Sequence, residues 1–143
     1  MVRTKKMVEN SYNSPDSINS LIWSNKSLYP DVYQYYKKMI GLRKNHPAFR
    51  METTSDINNN LSFLISPNSS VIVYRLNGEA VKDSWKDIVV AINVNDKDSE
   101  VLIPDGKWVL VANGDAISED GIDSKVYSQK INVPYRTMVI LKR

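Results

Sequence analysis

Residues 71–94, VIVYRLNGEAVKDSWKDIVVAINV, decide the fold. Two β-branched runs, VIVYRL (71–76) and DIVVAINV (87–94), flank a polar stretch that opens on Asn77-Gly78, a turn signal. The same pattern continues on both sides. LSFLIS (61–66) precedes the pair, and EVLIP (100–104), WVLVAN (108–113), KVYSQKINV (125–133) and TMVILK (137–142) follow it, bounded by Asn, Gly, Asp and Pro. Seven short runs of this kind in less than a hundred residues predict a mainly β chain built as an antiparallel β-sandwich. Asp105-Gly106, between EVLIP and KWVLV, is a two-residue hairpin signal, because both central positions of such a turn need positive φ. Trp108 alternates with Leu110 and is expected in the core.

Upstream of the strands the character changes. In PDVYQYYKKMIGLRKNHP (30–47), Pro30 and Asp31 suit the first turn of a helix and Asn45-His46-Pro47 ends it. Val32, Tyr36, Met39, Ile40 and Arg43 follow helical spacing, and Tyr35 and Leu42 widen the apolar stripe. A stripe this wide needs a partner surface, and no second helix of comparable quality follows, so the helix reads as an orphan. His46 is expected to cap or pack, and Tyr33, Tyr35 and Tyr36 to pack rather than to form a sugar platform. Residues 7–28, rich in Asn, Ser and Asp, read as a long loop anchored by Tyr12, Ile18, Leu21, Ile22 and Trp23.

Composition narrows the function classes. A chain of 143 residues holds one ordinary domain, and is too short for a complete barrel enzyme. Hydrophobic residues at 42% and charged residues at 24% exclude wholesale disorder. There is no Cys and a single His, so neither thiolate chemistry nor a His-based metal cluster is expected, and no cofactor is called for. No apolar run approaches the ~20 residues of a membrane span, and the first ten residues lack the apolar stretch of a signal peptide. The net charge of +3 is unevenly spread: residues 1–50 carry a balance of +6, the remainder −3. A basic cluster at Arg3, Lys5 and Lys6 has no interleaved aromatics, so it argues for neither nucleic acid nor a membrane partner. G-x-S-x-G, G-x-x-x-x-G-K-[ST] and G-x-G-x-x-G are absent, and the acids of the strand region, such as Asp96, Asp98, Asp115 and Glu119, sit in turn contexts.

Several motifs taken together point to a family. Arg3-Thr4-Lys5, Asn10-Ser11-Tyr12-Asn13-Ser14-Pro15-Asp16, Ile22-Trp23, Tyr35-Tyr36-Lys37, Leu42-Arg43-Lys44 and His46-Pro47-Ala48-Phe49-Arg50 stand in an order and spacing that resembles the C-terminal region of type I pullulanases, debranching enzymes of the α-amylase superfamily. Leu76-Asn77-Gly78, Asp83-Ser84-Trp85-Lys86-Asp87-Ile88 and Gly106-Lys107-Trp108 extend the resemblance through the strand region. The resemblance implies that residues 1–50 are the tail of a (β/α)8 barrel, with residues 1–29 the loop after its eighth strand and 30–46 its last helix. Residues 51–143 would be the C-terminal β-sandwich. The family's catalytic carboxylates lie upstream of the Arg-Thr-Lys motif, so no catalytic residue is assigned and the chain alone is expected to hydrolyse nothing. Residues 3–23 would be one substrate-cleft loop, with Tyr12, Asn13 and Asp16 contacting the α-glucan and Arg3 ordering the loop against the barrel.

Asp16 carries a second reading as a turn-forming residue after Pro15. A stand-alone carbohydrate-binding or protein-interaction module is the competing reading for the whole chain, with Trp85 as an exposed sugar-stacking ring. A separately encoded piece that pairs with a barrel polypeptide is the third. An exposed helix also leaves self-association of the fragment open.

Overall fold

An unbroken β-branched run needs both of its faces covered, and here one is covered by a second sheet and the other by helical segments. The computed structural model describes residues 10–143, so Arg3, Lys5 and Lys6 lie outside the described residues. The chain divides between Tyr33 and Gln34 into two compact units.

In the first unit, the expected loop contains two single-turn helices, α1 (Asp16–Asn19) and α2 (Asn25–Leu28), and then the start of α3 (Pro30–Asn45). Side chains that compete with regular pairing close these turns locally. Asn19 Nδ2 donates to the carbonyls of Ser11 (2.8 Å) and Ser14 (3.0 Å). Of the expected anchors, Ile18 and Ile22 are half-buried, whereas Tyr12, Leu21 and Trp23 are exposed.

The second unit contains the rest of α3, the 3-10 turn Pro47–Arg50, helix α4 (Thr54–Asn60) and all seven strands. They are β1 (Leu61–Phe63), β2 (Val71–Asn77), β3 (Asp87–Asn93), β4 (Ser99–Leu102), β5 (Val109–Ala112), β6 (Lys130–Val133) and β7 (Thr137–Lys142). A five-stranded antiparallel sheet runs β1-β2-β3-β7-β5, and β4 pairs with β6 in a second sheet. Val71, Val73, Val89, Ala91, Val139 and Leu141 face Val101, Ile131 and Val133 across the inter-sheet core, with Trp108 fully buried among them. The alternate positions, Leu76, Ile88, Val90 and Ile140, face the other way and form a second core with Leu42, Ala48 and Trp85. Both faces of β3 are therefore dry, which explains its unbroken apolar run, IVVAI.

Three expectations change. Asp105-Gly106 does not join a hairpin: β4 pairs with β6 and β5 with β7, so the turn carries the chain from one sheet to the other. Turn chemistry is local, whereas the partner of each strand is chosen by which face it must bury. The run at 125–133 is strand only from Lys130, because Gln129 takes a positive φ (63°) and Tyr127 bridges Trp108 separately. Helix α4 was not expected. Thr53 caps it, Oγ1 accepting from Asp56 N at 3.0 Å, and that cap offsets the poor helix propensity of its Asn-rich end.

One ionic cluster ties the sheet's strands together. The buried Asp87 carboxylate accepts from Arg75 Nε (2.7 Å) on β2 and from Arg143 Nε (2.8 Å), which follows β7. The Arg143 guanidinium also lies 4.8 Å from the Trp108 ring. Asp87→Ala leaves two half-exposed guanidinium groups able to turn to water, so it should cost about 3 kcal/mol, the lower end for a broken buried pair. Urea denaturation checks this, with Asp98→Ala, at an exposed turn, expected to cost less.

Candidate functional site

The predicted glucan-contacting residues lie together on the first unit. Tyr12 (95% exposed), Asn13 and Asp16 are all open to solvent. Asn10 Oδ1 accepts from Tyr12 N at 3.0 Å and fixes the approach to the turn. Asp16 opens α1, yet its side chain caps nothing: the N-cap position belongs to Pro15 and no side-chain cap bond forms. Among the described residues none donates to the Asp16 carboxylate, so its side chain closes no turn, although Asp16 is the first residue of the single-turn α1 that follows Pro15. Trp23 is exposed nearby in sequence, and Lys26 Nζ lies 4.4 Å from the centre of the Tyr33 ring.

Trp85 does not belong to this set. It is 7% exposed, one face stacked on His46 with ring centroids 3.5 Å apart and Lys142 Nζ 5.0 Å from its centre. A ring enclosed in this way offers no platform to a sugar, and the expectation of an exposed Trp85 is corrected. The cause is its position after Asp83, whose carboxylate gathers three donors: His46 Nδ1 (2.7 Å), Ala48 N (3.0 Å) and Trp85 N (2.9 Å). A carboxylate only accepts, so His46 Nδ1 carries a proton in this pair.

This arrangement fastens the end of α3 to the sandwich. His46 is 2% exposed and serves as a packing residue paired to a buried acid, with its Nε2 3.6 Å from Glu119 Oε2. Asn45 Nδ2 donates to Glu119 Oε1 at 2.8 Å, and Tyr35 Oη donates to the Asn113 carbonyl at 2.9 Å. Burial first, then the charge of Asp115 and the neighbouring Tyr36, hold the Tyr35 phenol above its ordinary value of 10.0, which keeps it a donor. The helix is therefore an orphan only in part. Leu42 is buried in the second core and Tyr35 and Met39 pack against it, while Tyr36 and Ile40 remain exposed.

Sequence reasoning passed over Asp83 and Asp87 as sites because each looks like another turn acid. The only available signal was their spacing around Trp85 in Asp83-Ser84-Trp85-Lys86-Asp87. No group of three metal-ligating side chains occurs among the described residues, and no helix among them is long and apolar enough to cross a membrane.

Residues 57–116 match the model of the pullulanase all-beta domain. The matched stretch takes in strands β1 to β5 of the sandwich. Over 124 residues the chain is 37% identical to pullulanase from Bacillus subtilis, covering 86% of this chain and 17% of that protein. The solved structure of pullulanase from Bacillus acidopullulyticus superposes on 99% of the chain with a TM-score of 0.89 and 40% identity, and the chain covers 17% of it. Pullulanase from Anoxybacillus sp. LM18-11, solved in complex with maltotriose, matches 99% of the chain with a TM-score of 0.82 and 34% identity, over 19% of its own length. The chain thus spans less than a fifth of these relatives. The pullulanase resemblance read from the sequence motifs is borne out, as is the mainly antiparallel β architecture.

Two substitutions separate the structural role of the seam from sugar binding. Asp83→Ala orphans two backbone donors and the His46 ring, and should cost about 3 kcal/mol in urea denaturation. Trp85→Ala should cost a similar ~3 kcal/mol by cavity formation. Neither should change retention of the folded chain on an α-glucan affinity gel; selective loss of retention by Trp85→Ala, at unchanged stability, would restore the sugar-platform reading.

Proposed function

We propose that this chain is the barrel tail and accessory β-sandwich of a pullulanase whose whole polypeptide hydrolyses α-1,6-glucosidic bonds in pullulan and branched α-glucans. The observation that carries the proposal is coverage: nearly the whole chain, not the sandwich alone, superposes on pullulanases, each several times longer. Residues 1–50 are assigned to the barrel tail and 51–143 to the sandwich. On this reading the barrel is the partner of the helix face bearing Tyr36 and Ile40, since an exposed apolar face beside a basic Lys37-Lys38 pair asks for a large partly polar surface. If that barrel is not supplied, the same face favours self-association.

The local role of the sandwich is structural, and the loop carries the substrate contact. Tyr12, Asn13 and Asp16 form the rim of the cleft. Asp16 has an exposed, uncommitted carboxylate of the kind that accepts paired hydrogen bonds from vicinal sugar hydroxyls. Relatives solved with maltotriose and maltotetraose support an α-glucan as the ligand class. Catalysis resides in carboxylates elsewhere in the pullulanase, which works through two acids held in one cleft. The stand-alone binding module is not favoured, because the ring it required is buried.

The pure chain should release no reducing sugar from pullulan; turnover that follows the protein through purification would contradict the proposal. Substituted for the matching segment of the Bacillus subtilis pullulanase, the chain should sustain pullulan hydrolysis. In that chimera Asp16→Ala should lower kcat/KM about tenfold, corresponding to ~1.4 kcal/mol of lost transition-state binding. An unchanged kcat/KM would remove Asp16 from the cleft.

A further inference from the structure

The chain holds two Asn-Gly pairs, Asn77-Gly78 and Asn113-Gly114, and their settings differ sharply. We propose that Asn113 is a site of spontaneous covalent modification, converting through a cyclic imide to aspartate and isoaspartate in the folded protein, while Asn77 is protected.

The reaction needs a bare amide nitrogen next to an Asn side chain, a stabilised oxyanion and access for water. Gly114 supplies the first: it has no side chain to shield its nitrogen, it is exposed, and its N–H makes no hydrogen bond among the described residues. Asn113 Oδ1 accepts from Asp115 N at 2.9 Å and from Ala116 N at 2.8 Å. Those two backbone donors already point at the oxygen on which charge develops when Cγ is attacked, the arrangement that stabilises a tetrahedral intermediate. No described residue accepts from Asn113 Nδ2, so the leaving group is held by nothing that the reaction must break.

The balance is complete with water as the only co-reactant. Gly114 N loses its proton and bonds to Asn113 Cγ, the Cγ–Nδ2 bond breaks, and ammonia leaves with that proton. Water then adds to either imide carbonyl, and the ring C–N bond there opens. One opening restores the ordinary backbone as aspartate, while the other reroutes it through the former side chain as isoaspartate.

Asn77 has the same neighbour in a closed setting. It is paired with Asp87 in the β2–β3 ladder, and Gly78 is buried, its would-be Cβ only 2.1 Å from the Trp85 carbonyl oxygen. Its Oδ1 receives one long contact, from Ala80 N at 3.4 Å. Imide formation would have to displace packed backbone there. At Asn113 the consequence falls on the seam, because the Asn113 carbonyl accepts from Tyr35 Oη. Isoaspartate inserts a methylene into the backbone at that point and turns the acceptor carbonyl into a free carboxylate.

Peptide mapping by mass spectrometry after incubation of the full chain in ¹⁸O-labelled water at mildly alkaline pH tests this. Under native conditions the label should enter the Asn113 peptide at least about tenfold faster than the Asn77 peptide, a difference of ~1.4 kcal/mol in barrier. In denaturant the two sites should convert at comparable rates. Gly114→Ala, whose added Cβ would meet the Thr137 side chain at 3.3 Å, should slow conversion at Asn113 about tenfold or more by shielding the nitrogen. Equal native rates at the two sites, faster conversion at Asn77, or an unaffected rate in Gly114→Ala would each overturn the proposal.

Discussion

The constraint on which the rest of the structure depends is that β3 is buried on both faces. Val89 and Ala91 look into the space between the sheets, and Ile88 and Val90 look out the other side. A two-stranded second sheet, β4 with β6, covers only the first of these faces. Left open, the second would expose a contiguous apolar patch of a kind that soluble domains bury. The end of α3 and the 3-10 turn provide the missing layer, through Leu42 and Ala48. Area burial has no direction, so it does not by itself fix where the helix lies. The Asp83 carboxylate does so, by drawing His46, Ala48 and Trp85 to one point.

This arrangement changes what the helix means for function. As a sequence, it looked like a barrel element whose whole apolar stripe awaited a missing partner. In the structure the stripe is shared. Leu42 belongs to the sandwich core, Tyr35 and Met39 pack against it, and Tyr36 and Ile40 stay exposed. A helix with one side committed to the sandwich can carry the position of that domain to whatever covers its other side. The proposed pullulanase architecture gives such a coupling a purpose, since the accessory domain would then hold the last barrel helix in place.

How far the fold was legible varies with how local each signal is. All seven strands were readable because β-branched runs bounded by Asn, Gly and Pro report their own conformation. Asp105-Gly106 misled because turn chemistry says nothing of which sheet the next strand joins. The capping Thr53 of α4 was overlooked beside an Asn-rich segment that is intrinsically poor helix. Of the candidate site, Tyr12, Asn13 and Asp16 were readable only as a motif, and the structure adds that their side chains are exposed. Asp83 and Asp87 were hidden for a physical reason: whether an acid in a turn is solvated or buried against donors depends on residues far away in the chain, here His46 at one site and Arg143 at the other.

Native-state hydrogen exchange on the full chain addresses the shared-helix claim most directly. If the end of α3 is an integral layer of the sandwich, the amide of His46, bonded to the Leu42 carbonyl, should exchange through the same cooperative opening as Val89 and Val90 at the centre of β3. Both should respond to denaturant with the same slope. Rapid, denaturant-independent exchange at His46 beside full protection of β3 would contradict the account, and would make the helix a separate appendage to a sandwich that closes without it.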